Sequence, residues 1–110
     1  MIALPWKPKK PECNIVIKEV KFSVENSVKH IEIFVENKGN AECVMIDKVR
    51  IKPMAEQNWT EIHVDWDVKA IPSGGTAKTI FRYEWMSGEQ YLIKALTNRG
   101  IESLVLEKAP

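Results

Sequence analysis

The sequence is short of the residue types from which active sites and membrane anchors are built. It holds only two cysteines, Cys13 and Cys43. They form no C-x-x-C pair, and His30 and His63 do not stand at finger spacing, so no structural zinc site is expected. Two readings of the cysteines stay open. The preferred one is a pair of small, buried, apolar side chains; the other is a disulfide tying the N-terminal strand to a central strand. A catalytic thiol is disfavoured, since no histidine is paired locally with either cysteine. No serine lies in a G-x-S-x-G turn and no glycine-rich loop precedes a helix. The "PSGG" cluster at 72–75 leads into no helix whose N-terminus would hold a phosphate. No catalytic residue and no cofactor is therefore expected, and the chain does not read as an enzyme.

Charge of one sign is missing too. Sixteen basic residues stand against 15 acidic ones, a net +1, which gives no electrostatic reason to expect nucleic acid as a partner. Arginine is scarce (Arg50, Arg82, Arg99), and the Lys/Glu-rich remainder suits a thermophile's surface. No apolar run approaches the ~20 residues that span a bilayer, and "MIALPWKPKK" has no adequate signal-type apolar stretch. Taken as it stands, the chain inserts in no membrane and stays in the cytoplasm where it is made. Taken as a piece of a longer protein, it is an extracellular or cell-surface domain.

What is present is one domain's worth of strands. At 110 residues, 45% hydrophobic and 28% charged, the chain can bury one core without staples. Residues 1–12 read as a Pro/Lys-rich arm or linker, with Pro5, Pro8 and Pro11 at polyproline II spacing; 13–110 is the body. "CNIVIKEVKFSV" has inward Ile15 and Ile17, then Val20, Phe22 and Val24, a parity shift that one extra residue near Lys18-Glu19 explains as a bulge. "VKHIEIFVEN" points Ile31, Ile33 and Val35 one way and His30, Glu32, Phe34 and Glu36 the other. "ECVMIDKVRIKP", apolar on both parities at Val44–Ile46, reads as central. "NWTEIHVDWDVKAI" is expected to be one strand with Ile62, Val64, Trp66 and Val68 inward. "TAKTIFRYEW", "QYLIKALTN" and "IESLVLEK" complete about seven strands, with no sustained helical period. Regular short strands without helices indicate an all-β, immunoglobulin-like antiparallel β-sandwich. Tyr91 falls where such sandwiches place a corner tyrosine, although the antibody Cys…Trp…Cys spacing is absent.

The hairpin "IEIFVENKGNAECVMIDKVRI" resembles the apolar-x-V-x-N-x-G-x-A hairpin of bacterial and archaeal cell-surface sandwich modules of the CARDB type. It is similar also to that of the sandwich domains of archaeal archaellin, pilin and archaellum-accessory proteins. "IPSGGTAKTIFRYEWMSGEQYLIKALTNRGI" resembles their common ending, a Pro/Gly turn, a W-x-x-G-x-Y-x-I corner and a T-x-R-G hairpin. The resemblance implies a non-enzymatic structural or interaction module of the cell surface, associated with an archaeal filament or the cell envelope. The apolar helix that opens archaellum-type proteins is missing from this sequence.

The candidate site residues follow from parity. Phe34 and Trp59 carry large apolar bodies on outward positions, and Ile101 and Leu104 lie on a final strand with few central charges. These four are the expected protein contacts, through a sheet face or an edge, with a weak homodimer as the expected outcome. His63, Asp65 and Asp67 share one strand face and are candidates for a divalent metal, against the plainer reading of a solvated face. With Trp59 they support the alternative function, a module binding carbohydrate or metal. Asn58-Trp59-Thr60 is an N-glycosylation sequon.

Overall fold

The computed structural model describes residues 10–110. It holds eight strands and no helix among those residues: β1 (Ile15–Glu25), β2 (Val28–Asn37), β3 (Cys43–Pro53), β4 (Thr60–His63), β5 (Ala70–Ile71), β6 (Thr76–Arg82), β7 (Gln90–Thr97) and β8 (Glu102–Lys108). One antiparallel sheet has the order β1-β2-β6; the other runs β4-β3-β7-β8, with β5 paired to β3. The two sheets make the expected β-sandwich. Their strand order is that of an immunoglobulin-type sandwich with an added edge strand, β4, beside β3. The polyproline reading of the arm falls almost wholly on residues outside those described.

Local sequence explains the main elements. The β1–β2 register slips between Ile17 and Glu19, the bulge that the parity shift required. Asn26 and Ser27 both have positive φ, so a two-residue turn with the twist that suits a hairpin joins β1 to β2. The inward residues Ile15, Ile17, Ile31, Ile33 and Val35 meet Met45, Val49, Ile51, Ile93 and Tyr91 from the other sheet in one core. The Tyr91 hydroxyl accepts the Met86 N–H at 2.8 Å, the bond of a tyrosine corner.

Asn37 explains the N-x-G-x-A motif. Its side chain is fully buried. Nδ2 donates to the carbonyls of Ala41 (2.7 Å) and Ile71 (3.0 Å), and Oδ1 accepts from the N–H groups of Gly39 (2.9 Å) and Asn14 (3.3 Å). The next turn lies directly against the incoming chain, since a Cβ on Gly39 would stand 2.7 Å from the Asn14 nitrogen and closer still to the Glu12 carbonyl. Only glycine fits there. Glu12 is already tied down: its carbonyl accepts from Asn40 and Ala41, and its N–H donates to Asn40 Oδ1.

Two expectations need correcting. Cys13 and Cys43 are not separate buried thiols; they are joined as a disulfide, which links the chain just before β1 to the first residue of β3 and so staples the two sheets. The stretch 58–71 is not one strand. It leaves the β3 ladder at Val64, whose N–H bonds the Asp47 carbonyl, and crosses to β6, where Asp67 exchanges bonds with the Lys78 backbone. It then returns to β3 at Lys69, whose carbonyl accepts the Met45 N–H. Trp66 anchors the crossing: it is buried, with Nε1 donating to the Ile46 carbonyl at 3.0 Å. Val68 lies past that anchor and is exposed, against the inward position its parity suggested.

Candidate interaction surfaces

The outer face of the larger sheet carries the feature most apt for contact. In β8 the alternation sets Glu102, Leu104, Leu106 and Lys108 outward, while Ser103, Val105 and Glu107 turn toward the sandwich interior. Leu104 is 55% and Leu106 44% exposed. Across the ladder Leu106 stands beside half-buried Leu92, and Leu104 beside Lys94. Lys94 pairs with Glu102 at 3.6 Å, so a leucine strip ends at a charged rim. Ile101, also exposed, lies at the start of β8 and borders a hollow with Pro11, Glu12, Cys13 and Arg99. Among the described residues β8 is an edge strand: β7 pairs it on one side and no strand on the other.

Trp59 stands on the same outer face, beyond β3, and is half-buried under charge. The Lys94 ammonium lies 4.5 Å and that of Lys52 5.4 Å from ring centroids. Next to it Arg50 donates twice to one oxygen of Glu61. A sugar stacking on this ring would have to displace both lysines. The hollow lined by Met54, Ala55, Gly88, Glu89, Gln90 and Lys108 has no aromatic floor. Phe34 keeps its outward position on the smaller sheet, but Lys21 reaches over its ring at 5.1 Å and leaves it half-buried.

The three metal candidates are not drawn together. His63 Nε2 lies 3.7 Å from Asp65 Oδ1, both well exposed, whereas Asp67 turns to the Lys78 N–H at 2.7 Å. Among the described residues no cluster of three His, Cys, Asp or Glu is arranged to hold a metal ion. Among the described residues two buried polar side-chain atoms lack partners, His30 Nδ1 and Asp47 Oδ1. They belong to β2 and β3, in different sheets, and compose no acid–base pair. Asn58 lies in the loop that enters β4 and Thr60 opens that strand; both are exposed.

Sequence parity missed what lies at the tip of the β1–β2 hairpin. Val24, inward by parity, is 57% exposed, because the hairpin outruns the sandwich. Behind it Phe22 packs edge-on against Trp85 and tilted against Tyr91, and Tyr83 meets Tyr91 edge-on. Lys29 lies over Trp85 and donates to its carbonyl. Burial, and then the nearby Tyr91 and Glu56, hold the Tyr83 hydroxyl's pKa above its ordinary value. The signal available in the sequence was the aromatic density of 81–91, which reads equally well as core.

The geometry so far defines a β-sandwich with contact faces, and comparison with solved structures agrees on the fold. The chain is similar to the archaellum periplasmic stator protein complex of FlaF and FlaG from Sulfolobus acidocaldarius, at 13% identity and a TM-score of 0.72, over 97% of this chain and 96% of that one. It is similar also to the archaellum periplasmic stator protein FlaG from the same organism, at 13% identity and a TM-score of 0.72, over 87% of this chain and all of that one. At such identity the likeness establishes the shared sandwich. No family model matches the sequence, and no curated protein matches it significantly. Among the described residues no helix is long and apolar enough to cross a membrane.

Proposed function

We propose that this chain is a non-enzymatic interaction module of an archaeal cell envelope, working outside the cytoplasm in a surface-filament assembly of the archaellum stator kind. The observation that carries the reading is the exposed Leu104–Leu106 strip on an unpaired edge strand. Apolar strips rimmed by charge are the surfaces through which proteins dock. The similarity to stator proteins, one of them in a complex of two such chains, supports a protein as the partner. In this reading residues 1–12 are the tether, Ile101 extends the docking strip, and Phe34 and Trp59 supply secondary contacts once their lysines are displaced. Asn58 is proposed as the acceptor of a glycan. Its exposed amide nitrogen would displace the phosphate from the anomeric carbon of a lipid-linked oligosaccharide, losing a proton as the new N–C bond forms.

The test is location. Intact source cells treated with protease should lose the protein while cytoplasmic markers survive. Mass spectrometry of the peptide containing Asn58 should show a glycan. A protein protected in intact cells, released only with cytosol, would refute the proposal.

A further inference from the structure

The outward residues of β8 read, in order, Glu102, Leu104, Leu106, Lys108: acid, leucine, leucine, base. That order is self-complementary. Reversed against itself, Glu102 meets Lys108 of a second copy and Leu104 meets Leu106, with Val105 on the axis. The backbone has the same symmetry. The Thr97 N–H donates to the Ile101 carbonyl and the Ala109 N–H to the Glu89 carbonyl, so odd-numbered residues of β8 bond toward β7. Hydrogen-bonded and non-bonded pairs alternate along an antiparallel ladder. The N–H and C=O groups of Glu102, Leu104, Leu106 and Lys108 therefore point to the free edge. A register that pairs 102 with 108 and 104 with 106 sets free groups against free groups; a slip by one residue would not.

The other edges are guarded. β1 carries its bulge, β4 is only four residues long, and β6 is bridged by Asp67 at Lys78. β1 also approaches β8, but on the inner side, where the Ile17 N–H donates to the Ser103 hydroxyl. Among the described residues nothing pairs with β8 in the plane of the sheet beyond it.

We infer that β8 pairs antiparallel with β8 of a second copy in this register, which joins the two larger sheets into one continuous sheet across a two-fold axis at Val105. The inference rests on the proposed reading that this face binds protein, and it commits to a second copy as the occupant. Charge complementarity selects the register, and leucine burial supplies the attraction.

Charge exchange in trans tests it. Glu102→Lys and Lys108→Glu chains should each dimerise roughly tenfold more weakly than wild type in sedimentation equilibrium, since each sets like charges opposite one another twice. Mixed, they should form a heterodimer, because every pair is then Lys against Glu. Val105→Cys, whose thiol is the chain's lone free one beside the Cys13–Cys43 disulfide, should cross-link to itself on mild oxidation. Facing residues of a non-bonded pair lie ~4.5 Å apart at Cα, within disulfide reach. If Val105→Cys does not fold, the charge exchange decides alone. A wild-type chain monomeric at millimolar concentration overturns the inference, as does a dimer indifferent to both charge changes. Neither result touches the location test, so an envelope module that docks a different protein would remain distinguishable.

Discussion

Removing the Asn37 side chain should be among the most damaging polar substitutions in the molecule. Asn37 uses its full capacity, two donors and two acceptors, on four separate backbone groups. Asn37→Ala leaves the carbonyls of Ala41 and Ile71 and the N–H groups of Gly39 and Asn14 without those partners. A buried group stripped of its partner costs about 1–3 kcal/mol. Some of these groups are partly exposed and will recover a water, so the expected loss is about 3–5 kcal/mol in urea melts. For a domain of this size that is a fall of roughly 10–25 °C in Tm. Asn37→Asp is the sharper control. It keeps both acceptors but turns a charged oxygen on two carbonyls, so at neutral pH it should lose at least as much as alanine. A loss below about 1 kcal/mol for Asn37→Ala, or a well-tolerated Asn37→Asp, would refute the view that this side chain locks the loop end.

Paired Cys13→Ser and Cys43→Ser changes should cost roughly 3–4 kcal/mol by the loop-closure relation for cysteines 30 residues apart, read from denaturant midpoints against the oxidised protein. Trp66→Ala should cost about 3–5 kcal/mol, and Trp66→Phe a smaller amount traceable to the lost Ile46 bond; a loss under about 1 kcal/mol for alanine would show that the crossing is not anchored there. Tyr83 holds its proton more tightly folded than unfolded. Its contribution is thus complete below the ordinary tyrosine value near 10 and is lost as pH rises through the folded value. Tyr83→Phe should flatten the alkaline limb of a stability–pH profile, and an unchanged limb would count against that burial.

The strands were legible where one face is buried along their whole length. β2 alternates cleanly, and even the β1 bulge showed as a shift of apolar parity. The stretch 64–69 was not legible, because alternation alone does not reveal when the ladder partner changes. Val64, Trp66 and Val68 keep period two, yet the first two pack inward and the third faces solvent. The disulfide was legible only as the second of two readings: a separation of 30 residues says nothing about Cα proximity until β1 and β3 are folded face to face. The hairpin motif behind the family resemblance proves to be the Asn37 lock and the Gly39 close approach. Such a motif transmits a fold and is silent on function. The proposed contact strip lies at the even positions of β8, which periodicity marks as outward; its edge position and bonding phase came only with the structure.

Pairing through β8 also constrains the arm. β8 starts at the arm end of the sandwich, since Arg99 and Ile101 share a hollow with Pro11, Glu12 and Cys13. In an antiparallel two-fold pair the strand directions oppose, so the two arms leave from opposite ends of the joined sheet. Ile101 lies four residues from the axis residue Val105, or about 13 Å at ~3.3 Å per residue, and Arg99 sits in the turn just beyond it, which sets the two Arg99 positions roughly 30–40 Å apart. Packing sheet faces about an axis parallel to the strands would instead bring both arm ends to the same side. A β8-paired dimer is therefore suited to linking two partners that face each other, and poorly suited to standing with both arms on one surface. Spin labels on Arg99→Cys measure the difference. A distance distribution centred below about 25 Å in a dimer would show that the arms are parallel, and antiparallel pairing of β8 would fall with it.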